Sequence, residues 1–74
     1  MVETAEIHSL VEQAFPGSEV TVEDLTGTGD HFQVIVLSPV FKGKTLMEQH
    51  KMVYATLEPL KDKIHALTIK TRPL

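Results

Sequence analysis

The stretch "HFQVIVLSPVFKGKTLME", His31 to Glu48, decides how this chain folds. Its first eight residues are β-branched and apolar enough for a central strand, and Pro39 stops that strand because it has no amide to donate. The segment "PVFKGK" (Pro39 to Lys44) then reads as a tight connection of one helical turn, with Gly43 as the break. Thr45 and Glu48 have the spacing of a capping box. The threonine hydroxyl accepts from the third helical amide, and the glutamate reaches back to the cap amide. Local chemistry alone therefore predicts a strand that passes through a short turn into a capped helix.

Working back toward the N-terminus, "TGTGD" (Thr26 to Asp30) is turn chemistry, because its glycines reach positive φ without steric cost. Ser18 to Leu25 alternates Val20 and Val22 against Thr21 and Glu23, the pattern of a half-buried strand, so the two strands form a hairpin. Before it, Ile7, Leu10, Val11, Ala14 and Phe15 fall at helical spacing and predict a helix over Ala5 to Phe15. Thr4 is the expected N-cap, Glu6 suits the first turn, and Pro16-Gly17 ends the helix.

Toward the C-terminus, the capped helix is expected to carry Leu46, His50, Val53 and Leu57 on one face. It ends near Glu58-Pro59, with Leu60 to Lys63 adding a turn. Ala66 to Thr71 reads as the last strand, Leu67 and Ile69 facing one way and Thr68 and Lys70 the other, after which Arg72-Pro73-Leu74 trails off. The order α-β-β-α(short)-α-β predicts an α+β fold: a three-stranded mixed sheet with helices on one face. A hairpin joins the first two strands, and a helical crossover brings the third in parallel to one of them. The 74 residues are read as one domain, 1–74, near the lower end of what a hydrophobic core alone stabilises.

The chain has no cysteine, so it makes no disulfide and offers no thiolate to a metal. Any softer metal centre would need thiolates from a partner. The formal net charge is −3, yet Lys42, Lys44, Lys51, Lys61, Lys63, Lys70 and Arg72 all lie in the second half, which leaves room for a local basic face. No run approaches membrane-spanning length and Met1 leads into an acidic, amphipathic segment, so the expected location is the cytoplasm, with no membrane partner.

Imidazole is the one neutral nitrogen ligand available, and its unperturbed pKa lies near about 6.5. His8 falls off the apolar stripe of the first helix and reads as a surface residue. His50 sits within the expected apolar face of the second long helix, where a core histidine with satisfied nitrogens is the plain reading. His31 opens the central strand and is either a solvated edge residue or a ligand held by a rigid hairpin. His65 precedes the last strand, at the end of the sheet. Two histidines supply only part of a coordination shell. Enzyme chemistry is not expected: there is no cysteine nucleophile, no serine on a strand–turn–helix elbow, and no convincing carboxylate pair. The glycines of "TGTGD" lack the Gly-Lys-Ser/Thr pattern and lead into a strand rather than a helix.

With these residues read, "GDHFQVIVLSPVFKGKTLMEQHKMVYATL" followed by "IHALTIKTRP" resembles the BolA family over nearly the whole chain. The resemblance rests on Phe41-Lys42-Gly43, on the helix with Gln49-His50-Lys51 and Val53, and on Ile64-His65-Ala66-Leu67. The short "GTGDHF" turn is similar to the IbaG-like bacterial branch. The resemblance implies a type II KH-like fold and an adaptor rather than an enzyme. It implies a monothiol glutaredoxin of the CGFS type as partner and a shared [2Fe-2S] cluster whose thiolates come from glutaredoxin and glutathione; none is expected for the isolated chain. In that reading His65 carries over as the ligand before Ala-Leu. The second family ligand, a His or Cys, lies in the loop between the first two strands. Here the candidate is His31, whereas in longer-loop relatives the ligand falls nearer Thr28. The alternative implied by the KH-like fold is a nucleic-acid-binding transcriptional regulator contacting DNA or RNA through Lys42, Lys44 and Lys51. Gln49, where the family usually has a basic residue, and the absence of a second glycine in "GKTL" weigh against it. A weak homodimer is compatible with either reading.

Overall fold

The computed structural model describes residues 2–74. Its elements are α1 (Thr4–Ala14), β1 (Glu19–Asp24), β2 (His31–Ser38), a 3-10 turn (Pro39–Phe41), α2 (Leu46–Leu57), a second 3-10 turn (Glu58–Leu60) and β3 (Ala66–Pro73). The sheet order is β1-β2-β3, so β2 is central. It pairs antiparallel with β1 and parallel with β3. This is the predicted α+β architecture.

The register follows from the pleat. Val20 lies opposite Val36 and Val22 opposite Val34, while Phe32 and Val34 face Leu67 and Ile69 across the parallel pair. Even-numbered residues of β2 are buried from Phe32 to Ser38, and the odd-numbered ones are half-buried. A one-residue slip would turn that whole apolar row outward, so burial on one face fixes the pairing. Ile7 and Val11 of α1, Val53 and Leu57 of α2, and Phe41 of the first 3-10 turn complete the core against this row. Phe15 and Phe41 meet at a centroid distance of 5.5 Å and a tilt of 56°.

Three local expectations shift. The N-cap of α1 is Glu3, not Thr4: Glu3 is extended, and its amide donates to the Glu6 carboxylate at 3.1 Å. Residues Arg72 and Pro73 do not trail off but extend β3 opposite Leu37 and Ser38, and the Leu74 amide donates to the Ser38 carbonyl at 3.1 Å. Proline is tolerated there because β3 is an edge strand. On α2 the core face is Gln49, Val53 and Leu57, while Leu46 is 61% exposed and His50 half-buried. The buried face is rotated by one residue because Gln49 has partners inside. Its amide nitrogen donates to the Lys44 carbonyl at 2.9 Å, and its oxygen accepts from the Thr71 hydroxyl at 2.7 Å. Satisfied in this way, an amide occupies a core position at little cost.

The capping box forms as expected, with Glu48 N–H donating to the Thr45 hydroxyl at 3.2 Å and Thr45 N–H to the Glu48 carboxylate at 2.8 Å. Gly43 takes φ +80° in the turn before it, a conformation that L side chains rarely adopt. No helix among the described residues is long and apolar enough to cross a membrane.

Candidate functional site

The loop between β1 and β2 is built around a carboxylate. Asp24 accepts from the amides of Gly27 and Gly29, each at 2.9 Å, and from that of Thr26 at 3.3 Å. Positive φ at Gly27 and Gly29 lets those amides converge on one side chain. The Leu25 amide closes the hairpin onto the His31 carbonyl at 2.8 Å. The chain therefore reaches His31 from a loop with little freedom.

From the other side comes β3. The amides of His65 and Ala66 both donate to the carbonyl of Asp30, at 2.7 and 3.1 Å, and Ala66 then lies opposite His31 in the parallel ladder. That junction brings the two histidines together. Their ring centroids are 4.9 Å apart with planes at 51°. His65 is exposed and His31 half-buried, so the pair sits at the open end of the sheet.

The two rings differ in their polar contacts. His31 Nδ1 lies 2.8 Å from Asp30 Oδ1, which also accepts from the Thr28 hydroxyl, itself bonded to Thr26. The Thr28 hydroxyl first, then the His31 ring, hold the Asp30 carboxyl below the usual carboxylate range. An ionised carboxylate only accepts, so the shared proton belongs to His31 Nδ1, and in the neutral ring Nε2 keeps its lone pair. Among the described residues no hydrogen bond occupies the His65 ring.

Beside His65 an open groove of about 280 Å³ runs between the end of α2 and β3, lined by Tyr54, Leu57, Ile64 and Leu67. The Glu58–Lys61 ion pair, at 2.6 Å, stands at its margin and raises the Lys61 ammonium above its ordinary value.

The other sequence candidates are elsewhere. Lys42, Lys44 and Lys51 are exposed around the start of α2. That region follows the Ser38 end of β2, about 23 Å from the His31 end at the usual rise per strand residue. His8 pairs loosely with Glu12 on the outside of α1, at 3.8 Å, as expected of a surface residue. His50 lies outside the core face, so the core-histidine reading does not hold for it.

Among the described residues no three His, Cys, Asp or Glu side chains converge as a metal site. The histidine pair fits half of a coordination shell: two imidazoles at one surface, each with a nitrogen that no hydrogen bond among the described residues uses, and no thiolate in the chain.

The BolA family model, described as "BolA-like protein", matches residues 11–73. The chain belongs to the BolA-like family. The acid stress protein IbaG of Escherichia coli is 38% identical over 71 residues, covering 93% of this chain and 81% of IbaG. The DNA-binding transcriptional regulator BolA of Escherichia coli is 39% identical over 46 residues, which are 61% of this chain and 44% of that protein. A solved structure of a BolA homologue from Coxiella burnetii superposes with a TM-score of 0.80 at 37% identity, covering 99% of this chain and 92% of the other. The BolA-like assignment agrees with the fold and with the element order read from the residues.

The sequence points to His31 and His65 but not to Asp24, Thr28 and Asp30, of which Asp24 organises the loop, Thr28 holds Asp30, and Asp30 contacts the His31 ring and the His65 amide. The one available signal was the Asp-His dipeptide at 30–31 immediately after a glycine turn.

Proposed function

We propose that this chain is a non-enzymatic adaptor that pairs with a monothiol CGFS glutaredoxin and supplies imidazole to a shared [2Fe-2S] cluster. The reading rests chiefly on the meeting of His31 and His65 at one exposed sheet end, each ring with a nitrogen that no hydrogen bond among the described residues uses. His65, on the more exposed side and without a hydrogen bond to its ring, is the primary ligand, and His31 is the second. Thiolates come from the partner and glutathione, consistent with a chain that has no cysteine. Exchanging thiolate for imidazole removes negative charge and raises a cluster's potential. The groove beside His65 gives a docking protein an apolar foothold next to that ligand.

The test is reconstitution of the two proteins with iron, sulfide and glutathione, followed by visible absorption and circular dichroism. The mixed complex is expected to differ from the glutaredoxin homodimer, and His65→Ala to abolish the difference. Identical spectra for the mixture and the homodimer would refute the adaptor role.

Nucleic-acid binding through Lys42, Lys44 and Lys51 is the second reading, supported by the DNA-binding relative and by the exposure of all three lysines. It requires affinity that falls steeply with salt and is lost on replacing Lys42 and Lys44. A net charge of −3 and the uncharged, buried Gln49 oppose it.

A further inference from the structure

Asp30 touches both histidines through different atoms. Its carbonyl receives the amides of His65 and Ala66, at 2.7 and 3.1 Å, which fixes the backbone from which His65 projects. Its carboxylate oxygen stands 2.8 Å from His31 Nδ1 and is itself held by the Thr28 hydroxyl. A carboxylate behind an imidazole fixes the ring's tautomer and orientation and strengthens the opposite nitrogen as a donor, and its loss typically lowers metal affinity about 10–100-fold.

We propose that Asp30 is the positioning residue of this site: its carboxylate holds His31 as the Nδ1–H tautomer and turns Nε2 outward, while its carbonyl anchors His65 beside it. The use of Nε2 as a ligand rests on the adaptor reading; the tautomer is a property of the free chain and stands apart from it. A neutral histidine in water favours the opposite tautomer, with the proton on Nε2, so the contact has a measurable consequence. The Thr26–Thr28 hydroxyl chain extends the same line of support, with the Thr28 hydroxyl donating to the carboxylate oxygen that faces His31.

The test is long-range ¹H–¹⁵N correlation on the ¹⁵N-labelled free protein, above the pH range in which imidazole titrates. His31 is expected as Nδ1–H in the wild type and mainly Nε2–H in Asp30→Ala. Asp30→Asn, whose amide oxygen also accepts, is expected to restore Nδ1–H. Because the backbone carbonyl survives both substitutions, the His65 and Ala66 amide resonances serve as the folding control and should stay in place. An Nε2–H ring in the wild type, or an unchanged tautomer in a folded Asp30→Ala, would overturn the proposal. In the reconstituted complex, Asp30→Ala is expected to weaken cluster retention about 10–100-fold and Asp30→Asn much less. If the wild type forms no mixed cluster while Asp30 still sets the tautomer, the adaptor reading fails and the Asp30–His31 assignment survives.

Discussion

At its Ser38 end β2 runs into a region where polar groups are consumed by the fold, whereas at its His31 end it opens on two imidazoles with nitrogens to spare. Ser38 is fully buried, its hydroxyl accepts from the Val40 amide and its carbonyl from the Leu74 amide. Gln49 joins the Lys44 carbonyl to the Thr71 hydroxyl nearby. At the other end, Asp24 and Asp30 spend their oxygens on organising the loop and the ring of His31, and among the described residues no hydrogen bond uses His31 Nε2 or the His65 ring. One strand thus separates stability from chemistry: a satisfied buried polar group strengthens the fold, and an unsatisfied exposed one is available to a partner.

Substitutions should break this division unequally. The largest effect is expected from Phe41→Ala, which empties a fully buried ring site against Phe15. A loss of about 3–5 kcal/mol by urea denaturation is predicted, enough to unfold much of so small a domain. Gln49→Leu strands the Lys44 carbonyl and the Thr71 hydroxyl together. It should lower stability by about 1–3 kcal/mol, while the spectrum of a mixed cluster stays unchanged. Thr45→Ala removes the cap hydroxyl and should cost about 1 kcal/mol in the same assay.

At the rim the expected effect on stability is smallest. His65→Ala should change it by less than about 0.5 kcal/mol, because its ring makes no hydrogen bond among the described residues. A large stability loss there would erase the contrast between the two ends.

Acid sharpens the comparison from a different side. Thr45, through its backbone amide and then its side chain, holds Glu48 below the ordinary carboxylate range. A carboxyl depressed on folding stabilises above its unfolded value, and that contribution fades as pH falls through the folded one. Carbon-detected titration should show Glu48 moving up toward the ordinary range in Thr45→Ala. At the rim, Thr28→Ala should raise Asp30 in the same way, since the Thr28 hydroxyl is the largest influence on it.

Most of the scaffold was legible because its signals are local. The β-branched, apolar run of β2, the proline after it and the Thr45–Glu48 box are each read within a single short segment, and β2 begins and ends where the residues indicate. What escaped depended on contacts distant in sequence. Gln49 lies off the apolar face expected of α2, and only its partner Thr71, 22 positions away, brings it into the core. The extension of β3 to Pro73 depends likewise on pairing with Ser38. His65 and His31 were legible as candidates from their strand-start positions, but their proximity required the parallel register, and the part played by Asp30 required both. The charge asymmetry leaves room for a basic face and the KH-like resemblance puts Lys42, Lys44 and Lys51 on it, but neither shows that Lys42 and Lys44 follow the far end of β2.

Electron–nuclear double resonance on the reduced mixed cluster, with only this chain labelled with ¹⁵N, tests the central claim most directly. Strongly coupled ¹⁵N from imidazole is predicted for the wild type, lost in His65→Ala and retained in Gln49→Leu. A reduced cluster in the wild-type complex with no strongly coupled ¹⁵N would contradict the account.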